Sequence, residues 1–204
     1  MGKVDLNNMD GVYFDVLREI GNIGAGNATT ALAQMINCKV DMHVPKVALL
    51  DFAEVGSAMG GEEQLMAGIY QVISGDINGS IMFLLEESSA RVLVGKLMGM
   101  EVPEDAPFDE IQISALKEIG NIITGSYLSS LSTLTGMTID ASIPALSIDM
   151  AGAILSVPAI EFGAMGDKML FIATEFSDDV KLEGYFILCP DLESDDKILT
   201  SLGM

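Results

Sequence analysis

Two long segments carry the hydrophobic spacing that is typical of amphipathic helices. In the second segment, apolar residues recur three and four positions apart, at Ile111, Leu116, Ile119, Ile122 and Ile123. Asp109 stands at an N-cap position before this segment, and Gln112 fits a capping box. The pattern predicts a helix that ends near Leu134. A matching segment predicts an earlier helix, capped by Asp10 and ending near Ile36.

Alternating and continuous apolar stretches elsewhere predict strands. The predicted strands are Val40–Val44, Ala67–Ser74, Ser80–Leu85, Thr138–Ile143, Met169–Thr174 and Tyr185–Cys189. Two shorter helices are predicted at Ser88–Met98, opened by Ser88 or Ser89, and at Ser194–Leu202. Each half of the chain then reads as helix, strands, helix. This order favours an α+β fold in which about six strands form one mostly antiparallel sheet.

The chain repeats one motif at a fixed distance. Glu19–Ile23 reads Glu-Ile-Gly-Asn-Ile, and the same five residues return 99 positions later at Glu118–Ile122. The aligned pairs are Asp15 and Ser114, Glu19 and Glu118, Asn22 and Asn121, and Pro45 and Pro144. A constant offset of about half the chain indicates a duplicated structural unit.

No linker rich in Pro, Gly or Ser separates the two copies. We therefore predict one domain over residues 1–204, built from two repeats at about 8–103 and 107–204 and related by a pseudo-twofold axis. Each repeat contributes one long helix that carries the motif.

The net charge of −20 argues against binding to nucleic acid or to anionic membranes, both of which select basic surfaces. Met1–Asp10 lacks the apolar core of a signal peptide, and the uncharged stretches Ile20–Cys38 and Asn121–Ile139 are too polar to span a bilayer. A cytoplasmic protein without membrane insertion is expected. Cys38 and Cys189 form no CxxC motif, so we interpret them as small buried residues, with a disulfide as the alternative.

The repeated Glu and Asn stand three residues apart, so they share one helix face with Asp15 or Ser114. In a single copy this pattern would indicate a solvated helix face, but its retention in both copies favours chemistry. A glutamate can pair with a cation or hold a metal. An asparagine has no basicity, yet it can orient a water molecule. Hydrolysis of an acyl phosphate or a nucleoside triphosphate needs little more than such positioning and charge stabilisation.

Other chemistries fit less well. The glycines of Gly21–Gly26 have the wrong order for a dinucleotide-binding loop, and there is no P-loop, no nucleophile elbow and no metal-ligand spacing. The only histidine, His43, is predicted to be an ordinary strand residue. The glycines beside the motif suit either tight packing against the sheet or the close approach of a partner.

Ala145–Ile160 is unusual because it is apolar with one charge, Asp149. One interpretation is a buried strand or core loop. The other is an exposed docking segment centred on Asp149.

The duplicated pattern Asp15…Glu19…Asn22…Pro45 and Ser114…Glu118…Asn121…Pro144 resembles the signature of the CheC/CheX/FliY phosphatases of bacterial chemotaxis. The resemblance covers nearly the whole chain. Its length and its two motif copies are most similar to the CheC branch of that family.

The resemblance implies a phosphatase of two-component signalling that removes the aspartyl phosphate of the response regulator CheY. Asn22 and Asn121 would each orient a water, and Glu19 and Glu118 would pair with the active-site lysine of CheY. The Mg²⁺ would belong to the regulator, so the chain would need no cofactor of its own. Asp15 and Ser114 would extend the contact, while Pro45 and Pro144 would be structural.

The resemblance also implies a second partner, the receptor deamidase CheD, and we place its docking site, as a hypothesis, at Asp149. CheD would stimulate the hydrolysis and be regulated in return. An alternative is a non-catalytic module that binds CheY or CheD, or a flagellar switch module similar to the middle domain of FliM. The intact Glu and Asn pairs favour catalysis over this alternative.

Overall fold

The structure is a computed structural model that describes residues 11–36, 41–162, 168–177 and 181–201. Its helices are α1 (Gly11–Ile36), α2 (Phe52–Ala58), α3 (Glu87–Met98), α4 (Glu110–Thr135), α5 (Ala151–Phe162) and α6 (Leu192–Ser201). Its strands are β1 (Asp41–Asp51), β2 (Leu65–Gly75), β3 (Gly79–Glu86), β4 (Ile139–Ala141), β5 (Ala145–Met150), β6 (Lys168–Ser177) and β7 (Lys181–Pro190).

All seven strands belong to one sheet in which every pairing is antiparallel. The order is β1-β6-β7-β3-β2-β4, and β5 also pairs with β2. Strands of the two halves are interleaved, because β1 pairs with β6 of the second half and β2 pairs with β4 and β5 of the second half. The predicted α+β fold with one shared antiparallel sheet is confirmed.

Each face of the sheet carries its own hydrophobic core. Ile69, Phe83 and Ile172 point to one face and pack in a cluster with residues of α1, α3 and α4. Met66 and Phe171, on the same strands, point to the other face and pack with residues of α2 and α5. This division follows from the period of two along a strand, which sends successive side chains to opposite faces.

The long helices α1 and α4 form where the hydrophobic spacing predicts them. The Asp109 carboxylate accepts hydrogen bonds from the backbone N–H of Ile111 (2.9 Å) and of Gln112 (2.8 Å). The Gln112 side chain accepts one in return from the Asp109 N–H, which completes the predicted capping box. At the other end Gly136 adopts the left-handed conformation (φ 71°). The N-cap predicted for α1, Asp10, lies outside the described residues.

Helices α2 and α5 are absent from the sequence prediction. The sequence of Ala145–Ile160 predicts a buried strand or core loop, or an exposed docking segment, but the segment divides into strand β5 and helix α5. Helix α5 buries Ile154 and Leu155 while leaving Val157 43% and Ile160 80% exposed. The helix carries an internal Pro158 and has apolar residues all round, so no amphipathic period marks it.

Several boundaries also differ from the prediction; β1, for example, continues past the predicted Val44 to Asp51. Helix α3 begins at Glu87, so Ser88 and Ser89 lie inside its first turn rather than at an N-cap. The strand predicted at Thr138–Ile143 is reduced to β4, and pairing stops before Pro144, which has no N–H to donate to a ladder.

Within the part of the chain that the structure describes, no helix combines the length and apolar character needed to cross a membrane. Cys189 is buried in the cluster beneath α2 and α5, whereas Cys38 lies outside the described residues.

Candidate active site

The repeated polar residues lie on the exposed faces of the two long helices. Their side chains are exposed in both copies: Asp15, Glu19 and Asn22 on α1, and Ser114, Glu118 and Asn121 on α4. The opposite faces of the same helices are anchored in the core, by Leu17 and Ile20 in α1 and by Leu116 and Ile119 in α4. Each helix therefore buries one face in the core and presents its glutamate and asparagine on the opposite, exposed face.

The glycine that precedes each asparagine brings the helix close to the sheet. A Cβ atom at Gly120 would lie 2.8 Å from the Ile69 side chain in β2, closer than ordinary van der Waals contact. A Cβ atom at Gly21 would lie 3.1 Å from the Val44 side chain in β1. The two glycines are therefore packing positions. Around Gly26 and Gly125, by contrast, a Cβ atom would meet nothing within 4 Å, so these two leave open space beside the motif.

This close approach lets a strand hold the Asn22 carboxamide. The backbone N–H of Val44 donates a hydrogen bond of 3.2 Å to Asn22 Oδ1. Val44 itself is buried, so the contact lies at the inner edge of the exposed motif.

The Asn121 carboxamide is held by a side chain instead. Gln71 Nε2, in β2, donates a hydrogen bond of 3.3 Å to Asn121 Oδ1 and another of 2.8 Å to the backbone carbonyl of Ser142. Ser142 is joined to β2 by two more bonds, since its N–H donates to the Val72 carbonyl (2.9 Å) and its Oγ accepts from the Val72 N–H (3.0 Å). A chain of hydrogen bonds thus runs from β2 to the exposed asparagine.

The two repeated prolines lie where strand pairing is irregular. The pairing of β1 with β6 shifts register between His43 and Lys46, which places Pro45 in the irregularity. Pro144 lies in the gap between β4 and β5, next to Ile143, which is 91% exposed. A proline cannot donate to a ladder, so each lies where the regular pairing is broken: Pro45 at a register shift within β1, and Pro144 between β4 and β5.

Asp15 and Ser114 make different local contacts. Asp15 forms an exposed ion pair of 2.6 Å with Arg18, an interaction that contributes little to stability in water. Ser114 Oγ donates a hydrogen bond of 2.8 Å to the backbone carbonyl of Glu110 within its own helix.

The side chains of the two motifs can position a water molecule or a ligand, but they include no strong nucleophile. Each asparagine Oδ1 has two lone pairs, of which one accepts the bond described above, and the Nδ2 group supplies two donors. Glu19 and Glu118 are exposed and three residues away on the same face. Among the residues that the structure describes, no group of three or more His, Cys, Asp or Glu side chains could hold a metal ion.

Sequence reasoning did not identify Gln71, Ser142 or Val44 as neighbours of the motif. For Gln71 a signal was present, because it alternates with Ile69 and Ile73 and so takes an inward position in an apolar strand. The contacts of Val44 and Ser142 involve backbone atoms, on which the sequence carries no direct mark.

Asp149, the proposed docking residue, lies at the end of β5, opposite Met66 of β2. Its carboxylate is exposed and accepts a hydrogen bond of 2.8 Å from the Met150 N–H. Exposed apolar side chains accompany it: Met150 is 49% exposed, and Leu65, which pairs with Met150, is 46% exposed.

Comparison with known proteins relates this sequence to a family. The sequence profile of the CheC-like family matches residues 15–49 and 111–148, which contain both copies of the motif. The CheY-P phosphatase CheC of Bacillus subtilis (strain 168) is 36% identical to the chain over 203 residues, 97% of each protein.

Solved structures agree on the fold. FliY of Thermotoga maritima superposes with a TM-score of 0.76 at 23% identity, over 96% of this chain and 98% of that one. The FliM middle domain of H. pylori superposes with a TM-score of 0.69 at 15% identity, over 95% and 99%. With the whole-length identity to the B. subtilis protein, these findings establish that the chain belongs to the CheC-like family.

Proposed function

We propose that the chain is a phosphatase that hydrolyses the aspartyl phosphate of a CheY-type response regulator, with Asn22 and Asn121 each orienting the attacking water. The observation that carries this proposal is the paired arrangement of an exposed glutamate and an asparagine whose Oδ1 is held by the sheet. The name of the B. subtilis relative, a CheY-P phosphatase, supports the same substrate.

In the proposed reaction, the water oxygen attacks the phosphorus in line with the bond to the aspartate oxygen. The new P–O bond forms as the bond to aspartate breaks, the regulator recovers its carboxylate, and inorganic phosphate leaves with the oxygen and both protons of the water. The asparagine contributes no proton transfer. Its free lone pair accepts a hydrogen bond from the water and so fixes the water's position, and such positioning supplies much of the catalysis of phosphoryl transfer.

Glu19 and Glu118 have a separate role in this proposal. An exposed carboxylate three residues from the asparagine suits an ion pair with a lysine beside the phosphoaspartate of the regulator. The Mg²⁺ that neutralises the phosphoryl oxygens belongs to the regulator. Two motifs further imply that one chain engages up to two regulator molecules.

A second partner, CheD, completes the proposal. Asp149 is exposed near the end of the edge strand β5, and the exposed apolar side chains of Met150 and of its partner Leu65 lie at the same end of the β5–β2 pair, which suits a protein contact that includes a charge. Coupling between CheD binding and regulator binding would act in both directions, as linkage requires.

The alternative is a non-catalytic module that binds the regulator or CheD, and the similarity to the FliM middle domain favours it as the second candidate. The two functions separate in one experiment, in which phosphate release from phosphorylated CheY is followed with the native chain, with and without CheD. A phosphatase shortens the lifetime of the phosphoryl group at substoichiometric amounts. A binding module associates with CheY and leaves that lifetime unchanged.

A further inference from the structure

Gln71 is a buried polar side chain in an otherwise apolar part of the sheet. It is 1% exposed and shares its face of β2 with Ile69 and Ile73, which belong to the core beneath α1, α3 and α4. Burial of a carboxamide is unfavourable unless its polar atoms find partners. The contacts of Gln71 therefore point to a role beyond packing.

Both N–H groups of Gln71 are used. One donates to the Ser142 carbonyl at 2.8 Å and the other to Asn121 Oδ1 at 3.3 Å, while Gln71 Oε1 has no hydrogen-bond partner among the described residues. Because Ser142 is itself bonded twice to Val72 of the same strand, the Ser142 carbonyl fixes the rotation of the Gln71 amide. The second N–H is thereby directed at Asn121.

Among the described residues, the first repeat holds its asparagine differently. Tyr70 pairs with Ala145, and Ala173 pairs with Lys46, the residue 99 positions before Ala145. Tyr70 and Ala173 are thus equivalent in the duplicated sheet, and so are the residues that follow them, Gln71 and Thr174.

Thr174 is also 1% exposed, but its side chain is shorter. Its hydroxyl has no hydrogen-bond partner among the described residues, and the Asn22 carboxamide accepts instead from the Val44 backbone. One asparagine is therefore held by a side chain and the other by the main chain.

We infer that Gln71 is a positioning residue of the second site only: it holds Asn121 Oδ1 so that its remaining lone pair and the Nδ2 group are directed outward. This inference rests on the proposed function for its catalytic consequence. Since Gln71 is buried beneath the motif and its hydrogen bonds go to Asn121 and Ser142 rather than to the exposed Glu118, its removal is expected to act on turnover rather than on regulator binding.

The test isolates each site in a full-length chain. Asn22→Ala leaves the second site to act alone, and Asn121→Ala leaves the first. Gln71→Met, which keeps the size of the side chain and removes its donors, is then added to each background. Thr174→Val is the matched control, because it alters the equivalent buried position without touching either asparagine. Hydrolysis of phosphorylated CheY gives kcat and KM, and urea unfolding records the stability of every variant.

With Asn22→Ala, adding Gln71→Met is expected to lower kcat about fivefold with KM unchanged, on the scale of a modest misplacement of a reacting group. With Asn121→Ala, Gln71→Met should have no effect, and Thr174→Val should have none in either background. An equal loss in both backgrounds would identify a general structural role. No loss with Asn22→Ala, or an inactive Asn22→Ala chain beside an active Asn121→Ala chain, would also overturn the inference.

A second readout does not depend on activity. In the NMR spectrum, Gln71→Met should shift the side-chain amide signal of Asn121 and leave that of Asn22 in place, whereas Thr174→Val should move neither. If this shift is seen in a chain that hydrolyses nothing, the positioning contact stands and the proposed function fails. If the Asn121 signal does not respond, the positioning contact itself is refuted.

Discussion

Asn22 and Asn121 have the same neighbours in sequence and different hydrogen-bond donors in space. The Val44 main chain holds the first, and the Gln71 side chain holds the second. A backbone donor survives every substitution that preserves the fold except one by proline, whereas a side-chain donor is lost in most substitutions of its residue. The second site is therefore the one that single substitutions in the sheet can change.

At the same scale, the two glutamates are expected to contribute to binding rather than to turnover. Glu118→Gln keeps the size of the side chain and removes the charge that would pair with a lysine of the regulator. In the Asn22→Ala background, KM should rise about tenfold, equivalent to about 1.4 kcal/mol, with little change in kcat. Initial rates over a range of CheY-P concentrations, at low and at high salt, provide the measurement.

Salt should reduce the difference between native and Glu118→Gln chains, because exposed charges are screened. Glu63→Gln, a change at an exposed glutamate in the turn after α2, is the control and should leave KM unchanged. A fall in kcat with constant KM would instead assign Glu118 a part in the chemical step.

At the scale of the secondary-structure elements, helix α4 contains one glycine that packs against the sheet and one that faces open space. A methyl group at Gly120 would press on Ile69, while one at Gly125 would meet nothing within 4 Å. Gly120→Ala should therefore lower the free energy of unfolding by about 1–3 kcal/mol through overpacking. Gly125→Ala should raise it by about 0.5–1 kcal/mol, since alanine is the better helix former.

Urea denaturation of the two variants gives both values with one method. The two changes in the free energy of unfolding need not be equal in size. A stabilising Gly120→Ala would contradict the close packing of the helix against the sheet. A Gly125→Ala chain that is more stable yet slower on CheY-P would indicate that the open space beside the motif accommodates the partner.

The sequence predicts those elements whose hydrophobic spacing is regular. Helix α4 has a clear three- and four-residue period and a capping box, and it is found where expected. Helix α5 has neither signal, because its apolar residues occupy all of its faces and its sequence contains Pro158, so the pattern does not predict it. In the site, the motif residues were found through duplication, but their anchors were not, because Val44 and Ser142 act through main-chain atoms whose positions depend on strand register.

Over the whole molecule, duplication produces one interleaved sheet with two outward-facing motifs. Each half completes the sheet of the other, because β1 pairs with β6 and β2 pairs with β5. Asp149 lies exposed on β5 at the edge of the sheet, whereas the exposed motif positions lie on α1 and α4. The docking hypothesis therefore puts the proposed second partner on a different element from the proposed regulator sites.

The docking hypothesis predicts that Asp149→Lys weakens CheD binding about tenfold or more, because charge reversal places like charges or an unpaired charge in the contact. Calorimetric titration with CheD provides the affinity. Asp105→Lys, which makes the same change of net charge at an exposed turn before α4, should bind as the native chain does. Equal affinity of CheD for both variants would exclude Asp149 from the contact.

The most direct measurement is the decay of the phosphoryl group of CheY-P in the presence of the Asn22→Ala/Asn121→Ala chain, together with the affinity of that chain for CheY carrying beryllium fluoride. Two water-orienting asparagines predict that the native chain accelerates decay, and that the double variant loses on the order of 100-fold of that acceleration while binding within about threefold. A double variant that still accelerates decay, or one that fails to bind, would contradict the role of the asparagines in the chemical step.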